Sequence, residues 1–112
     1  MVRVRITLNV IVMERRIYDF RGAQVSFRKE YYCVGGTLAV RMVDETTNQS
    51  LILTVNLCSP LQDGSRLAFL DINNHPDMLD WLREKGLAEP THFSSTSGFC
   101  TYPLLSFHPE LF

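Results

Sequence analysis

The C-terminal third of the chain holds the residue types of nucleophilic catalysis. Cys100 lies near His92 and His108 in sequence, and Asp71 is a carboxylate that a fold can bring beside an imidazole. A thiol enzyme needs a thiolate next to an oriented imidazole. Cys100 instead sits in the apolar run between Phe99 and Tyr102, the setting of a buried thiol, and no nucleophile signature surrounds it. His75, His92 and His108, with Asp71 or Asp77, are potential metal ligands. Their spacing fits no helical histidine pair, and a cationic His75 is disfavoured near a helix N-terminus. The expectation is therefore a non-enzyme with no catalytic residues, no metal and no cofactor.

Two charged groups of side chains are better placed for recognition than for reaction. Asp77, Asp80 and Glu84 recur at i, i+3 and i+7, which puts them on one helix face opposite Met78, Trp81 and Leu82. Such a stripe can be an ordinary solvated face, or it can imitate a phosphate backbone and occupy a basic groove on a partner. Arg3, Arg5, Arg15, Arg16, Arg21, Arg28 and Lys29, with Tyr31 and Tyr32 nearby, offer the opposite chemistry. Arginines can meet phosphates while tyrosines stack on bases, or the charges can simply protect strand edges. Ser94–Gly98 has the small residues of a phosphate-binding loop but lacks its glycine pattern, its lysine and its following helix. The Asp71-Ile72-Asn73-Asn74 run suits a turn and a helix cap, and it can also position a polar group for a ligand.

Positioning these groups takes an ordinary globular chain. The 112 residues are 46% hydrophobic and 21% charged, enough for one domain over residues 1–112 with one core. The charge is segregated. Residues 1–42 carry eight basic groups against three acidic, a net +5, whereas residues 43–112 carry three against nine, a net −6. The two halves are expected either to pack on each other or to present opposite faces to a charged partner. No apolar run approaches the roughly 20 residues that span a bilayer, and the alternating N-terminus lacks a signal-peptide core, so a cytoplasmic location is expected. Cys33, Cys58 and Cys100 are odd in number and far apart, and buried free thiols are expected.

Val2–Val12 alternates with a period of two and predicts one half-buried strand. Residues 15–22 read as a connector ending at Gly22. Strands are expected over 24–33, 37–43 and 51–57, the last two joined as a hairpin through the polar run 44–50. A loop with an Asp63-Gly64 turn follows, then a short strand over 67–72. Asn74 is the expected N-cap of a helix over about 75–85, with Pro76 and Asp77 in its first turn, Gly86 in a left-handed cap and Leu87 folding back. Thr91–Ser97 reads as a small-residue loop, and Phe99–Phe107 as a final strand bent or placed at an edge by Pro103. The fold class is α+β: an antiparallel sheet of about five or six strands with one short helix on a face.

Four blocks in this second half, LTVNL (Leu53–Leu57), FLDINN (Phe69–Asn74), GLAEPT (Gly86–Thr91) and SGFCTYPL (Ser97–Leu104), resemble in order and spacing the family known as domain of unknown function 4313. The resemblance covers about residues 51–107, and Thr91-His92 stands where the family often has threonine-glycine. It implies a small protein of phage, plasmid or other mobile-element origin, without an assigned activity. With that context, the expected function is a non-enzymatic, protein-binding inhibitor. Its sharpest form is an anti-CRISPR protein that blocks the nucleic-acid site of an effector complex or nuclease. The partner-binding residues would be Asp77, Asp80, Glu84, Arg3, Arg5, Arg15 and Arg16. The alternative is a nucleic-acid-binding accessory protein that uses the basic N-terminal strands.

Overall fold

The computed structural model describes residues 2–7, 10–62 and 66–112, with the backbone alone for residues 2–15. Among the described residues, ten strands form three antiparallel sheets, with one α-helix. The α+β class stands, with more strands than the five or six expected. β1 (Val2–Thr7) pairs with β2 (Val10–Arg16) by themselves. β3 (Tyr18–Phe20), β4 (Ala23–Tyr31), β5 (Leu38–Asp44) and β6 (Ser50–Ile52) form the second sheet in chain order. β7 (Thr54–Val55), β8 (Leu67–Leu70), β9 (Ala88–Ser97) and β10 (Cys100–Phe107) form the third, in the order β7-β8-β10-β9. The helix α1 spans Met78–Glu84, and a 3-10 turn at Pro109–Leu111 follows β10.

The N-terminal run is two strands rather than one. Thr7 pairs with Val10, so the chain reverses within the alternating segment. The register sets Arg5 opposite Val12 and Ile6 opposite Ile11, so the link inverts the parity of the alternation; residues 10–13 are apolar at every position, and the pattern therefore records no reversal. Arg15 and Arg16 belong to β2, and the expected connector also contains β3. The hairpin across residues 44–50 forms as expected, with Arg41 opposite Ile52, Met42 opposite Leu51 and Val43 opposite Ser50.

The return strand divides at Leu53. Its N–H donates to Val40 in the second sheet at 2.8 Å, and its carbonyl accepts from the Asp71 N–H in the third, also at 2.8 Å. One residue thus hydrogen-bonds to both sheets, and the chain passes from one to the other there. The core lies between them. Val25, Phe27, Leu38, Val40 and Met42 from the second sheet meet Ala68, Leu70, Leu105 and Phe107 from the third, with Met78 and Leu82 of α1 in the same cluster. Trp81 packs on Tyr18, Phe20 and Phe27, with ring centroids 5.1–6.5 Å apart. Aromatic pairs at such separations add to the burial of apolar area.

The helix starts later than expected. Asp77, not Asn74, is its N-cap residue, and it makes no side-chain cap bond. The Asn74 side chain is engaged by Asp71 instead. The C-terminal end is as expected: Gly86 has φ +69°, and the Leu87 N–H returns to the Leu82 carbonyl at 2.9 Å.

Thr91–Ser97, expected as a loop, belongs to the ten-residue strand β9. Composition argued for a loop, but the link decides for a strand. Gly98 at φ +61°, followed by Phe99, makes a two-residue connection with positive φ at its first residue only, the geometry that joins tightly paired strands. Ser97 then faces Cys100, Thr96 faces Thr101, Ser95 faces Tyr102 and Ser94 faces Pro103. Pro103 acts on the other side of β10. Pairing with β8 ends at Leu104–Phe69, and proline offers no N–H to extend it. Beyond that point β9 and β10 continue as a two-stranded arm. The expected Asp63-Gly64 turn lies outside the described residues.

Candidate functional site

Asp71 is the natural starting point, being 7% exposed at the end of β8. One carboxylate oxygen accepts from the Asn74 N–H at 3.2 Å and the other from Asn74 Nδ2 at 2.7 Å, while the Asp71 carbonyl accepts from the His75 N–H. The run after β8 is therefore a turn closed on its own aspartate. Nearby, the buried Thr54 Oγ1 accepts from the Val40 N–H at 3.2 Å and lies 2.8 Å from the Tyr32 hydroxyl. Burial pushes the Tyr32 phenol up from the usual tyrosine range; the Thr54 bond opposes the shift and the Asp71 charge adds to it. Tyr102 is also pushed up, by partial burial first, then by the neighbouring Cys100 thiol and the Asp71 charge. Both shifts favour the protonated phenol.

Three of the four motif blocks converge here: Thr54 from LTVNL, Asp71 and Asn74 from FLDINN, and Cys100 and Tyr102 from SGFCTYPL. What they build is a hydrogen-bonded polar knot. His92 lies in the bulge of β9 opposite Leu104, four residues along the strand from Cys100. At the rise of an extended strand that separates the two positions by about 13 Å along the backbone. The other histidines are engaged elsewhere: His75 Nε2 lies 3.1 Å from the Ile52 carbonyl oxygen, and His108 Nδ1 accepts from the Glu110 N–H. Among the described residues, no three His, Cys, Asp or Glu side chains gather as a metal site. The thiols are not buried as expected: Cys33 and Cys58 are exposed and Cys100 is half-buried. Cys33 and Cys58 lie in the irregular segments after β4 and β7 rather than in strands, so the apolar runs that suggested burial end before them.

The charged residues divide differently. Arg21 donates to Asp77 at 2.7 Å, and Arg16 donates to the Glu110 carbonyl at 2.7 Å and to its carboxylate at 3.2 Å. Both contacts join the basic first half to the acidic second half, so part of the charge segregation is used in folding. Arg41 forks onto Glu30 at 2.7 and 3.2 Å, and the Lys29 ammonium sits 5.8 Å above the Phe112 ring. The Arg41 bond holds the Glu30 carboxyl below its usual value, with burial opposing and the charges of Arg41 and Arg28 assisting. Arg3, Arg5 and Arg15 lie on β1 and β2, where only the backbone is described.

Asp80 and Glu84 keep their exposure on α1, and Glu89 at the start of β9 joins them. With Arg83, these three acids line an open depression of about 350 Å³. Among the described residues, none of the three makes an ion pair. The structure therefore removes Asp77 from the expected acidic stripe and adds Glu89. Sequence spacing misses Glu89 because it lies five residues past the helix end; the Gly86 cap, which turns the chain back beside α1, is the signal that places it.

A short helix packed with two four-stranded antiparallel sheets, with charged patches around a closed polar knot, defines a small α+β protein. Residues 28–110 match the family described as a domain of unknown function (DUF4313), and the chain belongs to that family. The match includes all four motif blocks and extends the resemblance back through β5 and the end of β4. No curated protein and no solved structure matches the chain. Among the described residues, no helix is long and apolar enough to cross a membrane.

Proposed function

We propose that this protein is a non-enzymatic binding module whose acidic face, Asp80, Glu84 and Glu89, docks on a basic surface of a protein partner. The observation that supports this reading is the gathering of three exposed, unpaired carboxylates around one arginine, while Arg16, Arg21 and Arg41 are tied into internal ion pairs. Partner charges that meet there gain long-range attraction and orientation. The mobile-element context implied by the family resemblance suggests the partner class: a nucleic-acid-binding protein of a host defence system, whose basic groove the acidic face would occupy. In its sharpest form this is an anti-CRISPR inhibitor acting on an effector complex or nuclease. The alternative, nucleic-acid binding through the N-terminal strands, rests on Arg3, Arg5 and Arg15, because Arg16 is spent on Glu110.

The test uses the tagged full chain as bait in bacterial lysates at moderate salt, including a lysate that contains a CRISPR effector complex. A stoichiometric basic protein is expected, lost with Asp80→Lys/Glu84→Lys/Glu89→Lys. Capture unchanged by this triple reversal would overturn the assignment of the face. Nucleic acid alone, released by salt and lost on reversing Arg3, Arg5 and Arg15, would establish the alternative instead.

A further inference from the structure

The β9–β10 arm has a property that the acidic face does not share. β9 is the edge of its sheet and runs for ten residues, whereas the other edges of the two four-stranded sheets, β3, β6 and β7, are three, three and two residues long. Short strands are one protection against unwanted pairing, and charges and prolines are others. The N-terminal pair carries Arg3, Arg5, Glu14, Arg15 and Arg16 in its strands. On β9, Glu89, Pro90 and the bulge at His92 guard the base. From Ser94 to Ser97 there is no charge, no proline and no bulge.

The backbone of that segment is directed outward in a regular way. A two-residue link makes Ser97–Cys100 a hydrogen-bonded pair, and Ser95–Tyr102 is the next. The N–H and C=O groups of Ser94 and Thr96 therefore point away from β10, toward the open edge. Phe93 is 60% exposed, and Phe99 at the tip is fully exposed. A two-stranded ribbon with exposed aromatic side chains is marginal by itself in water and gains from further strands.

We infer that the occupant of this edge is a second copy of the chain, paired β9 to β9 antiparallel about a two-fold axis at Ser95. In that register Ser94 of each copy faces Thr96 of the other, so the outward N–H and C=O groups exchange bonds. Phe93 faces Ser97 of the second copy. No like charges meet, since the paired segment has none. The two third sheets become one sheet of eight strands, and the arm becomes a four-stranded ribbon. The contact is isologous and closes on itself, as a two-fold dimer requires. It leaves the acidic face of each copy outside the paired segment, so it stands apart from the proposed partner binding.

Sedimentation of the full chain from low micromolar to near-millimolar concentration tests this. A concentration-dependent species of twice the 12.9 kDa monomer mass is expected. Ser94→Lys/Thr96→Lys places like charges across the axis twice and is expected to give a monomer. Ser94→Lys/Thr96→Glu places opposite charges across it and is expected to restore the dimer. A wild-type chain that stays monomeric throughout overturns the inference, and so does a dimer that the double lysine variant keeps. Should that variant fail to fold, amide exchange on the wild type decides. Protection of Ser94 and Thr96 that rises with protein concentration supports the pairing, and protection independent of concentration overturns it.

Discussion

The knot around Asp71 and the face around Asp80 are both acidic, only a few residues apart in sequence, and physically opposite. Asp71 is buried, and both its carboxylate oxygens accept from Asn74. Asp80, Glu84 and Glu89 are exposed and carry no ion pair among the described residues. A buried polar group without partners costs free energy, so the first group had to be completed within the chain; the second is completed by water and is open to exchange it for a partner. The difference teaches that in the stretch most suggestive of chemistry, DINN beside a cysteine and a tyrosine, the aspartate is engaged within its own turn. The plain solvated helix face is the surface with unspent electrostatic capacity.

Breaking the knot has the largest expected effect. Asp71→Ala removes the acceptor of two Asn74 donors and is expected to cost roughly 2–3 kcal/mol of stability in denaturant unfolding. Thr54→Val keeps the volume but strands the Val40 N–H and the Tyr32 hydroxyl, at about 1–2 kcal/mol by the same measurement. The knot can also be sharpened by titration. Tyr32 has a raised folded-state pKa, so its contribution to stability is complete below the ordinary tyrosine pKa and is lost as pH rises through the folded value. In ultraviolet titration against a Tyr32→Phe control, Asp71→Asn is expected to lower that pKa and Thr54→Val to raise it further.

Exposed charge gives smaller effects. Glu30 has a lowered folded-state pKa, so its pairing with Arg41 contributes above the ordinary glutamate pKa and is lost as pH falls through the folded value. At this exposure the pair is worth at most about 1 kcal/mol, and Arg41→Gln should return the Glu30 carboxyl to its usual range in an NMR titration. Reversal of Asp80, Glu84 and Glu89 is expected to change stability by less than about 0.5 kcal/mol while abolishing capture of a basic partner. A large loss of stability in that triple variant would erase the distinction between the two regions.

Much of the frame is readable in the residues. The 44–50 hairpin, the Gly86 cap and the α+β class follow from turn chemistry and period, because those signals are local. Three features escape that reading. The reversal between Thr7 and Val10 is hidden because residues 10–13 are apolar at every position, so the run shows no break where the register inverts. The strand nature of Thr91–Ser97 depends on its partner across Gly98-Phe99, and serine and threonine alone do not announce it. Asn74 is drawn from the helix cap by the carboxylate of Asp71 three residues before it, a local turn that competes with the cap and that the cap pattern alone does not rank above it. Of the proposed acidic face, helical spacing supplies Asp80 and Glu84, which are exposed on α1. It cannot foresee that Arg21, fifty-six residues upstream of Asp77, neutralises the third member.

Leu53 has a consequence for how the protein assembles and comes apart. Its amide closes one sheet and its carbonyl the other, through partners thirteen residues before it and eighteen after it. Neither sheet can complete its hydrogen bonding at that seam while its neighbour is undone. Such a shared seam makes the two sheets a single cooperative unit, so the amides of Leu53 and Asp71 should exchange with solvent only through global opening. They are then the natural reporters of whole-molecule stability, against which the looser opening of the β9–β10 arm can be timed.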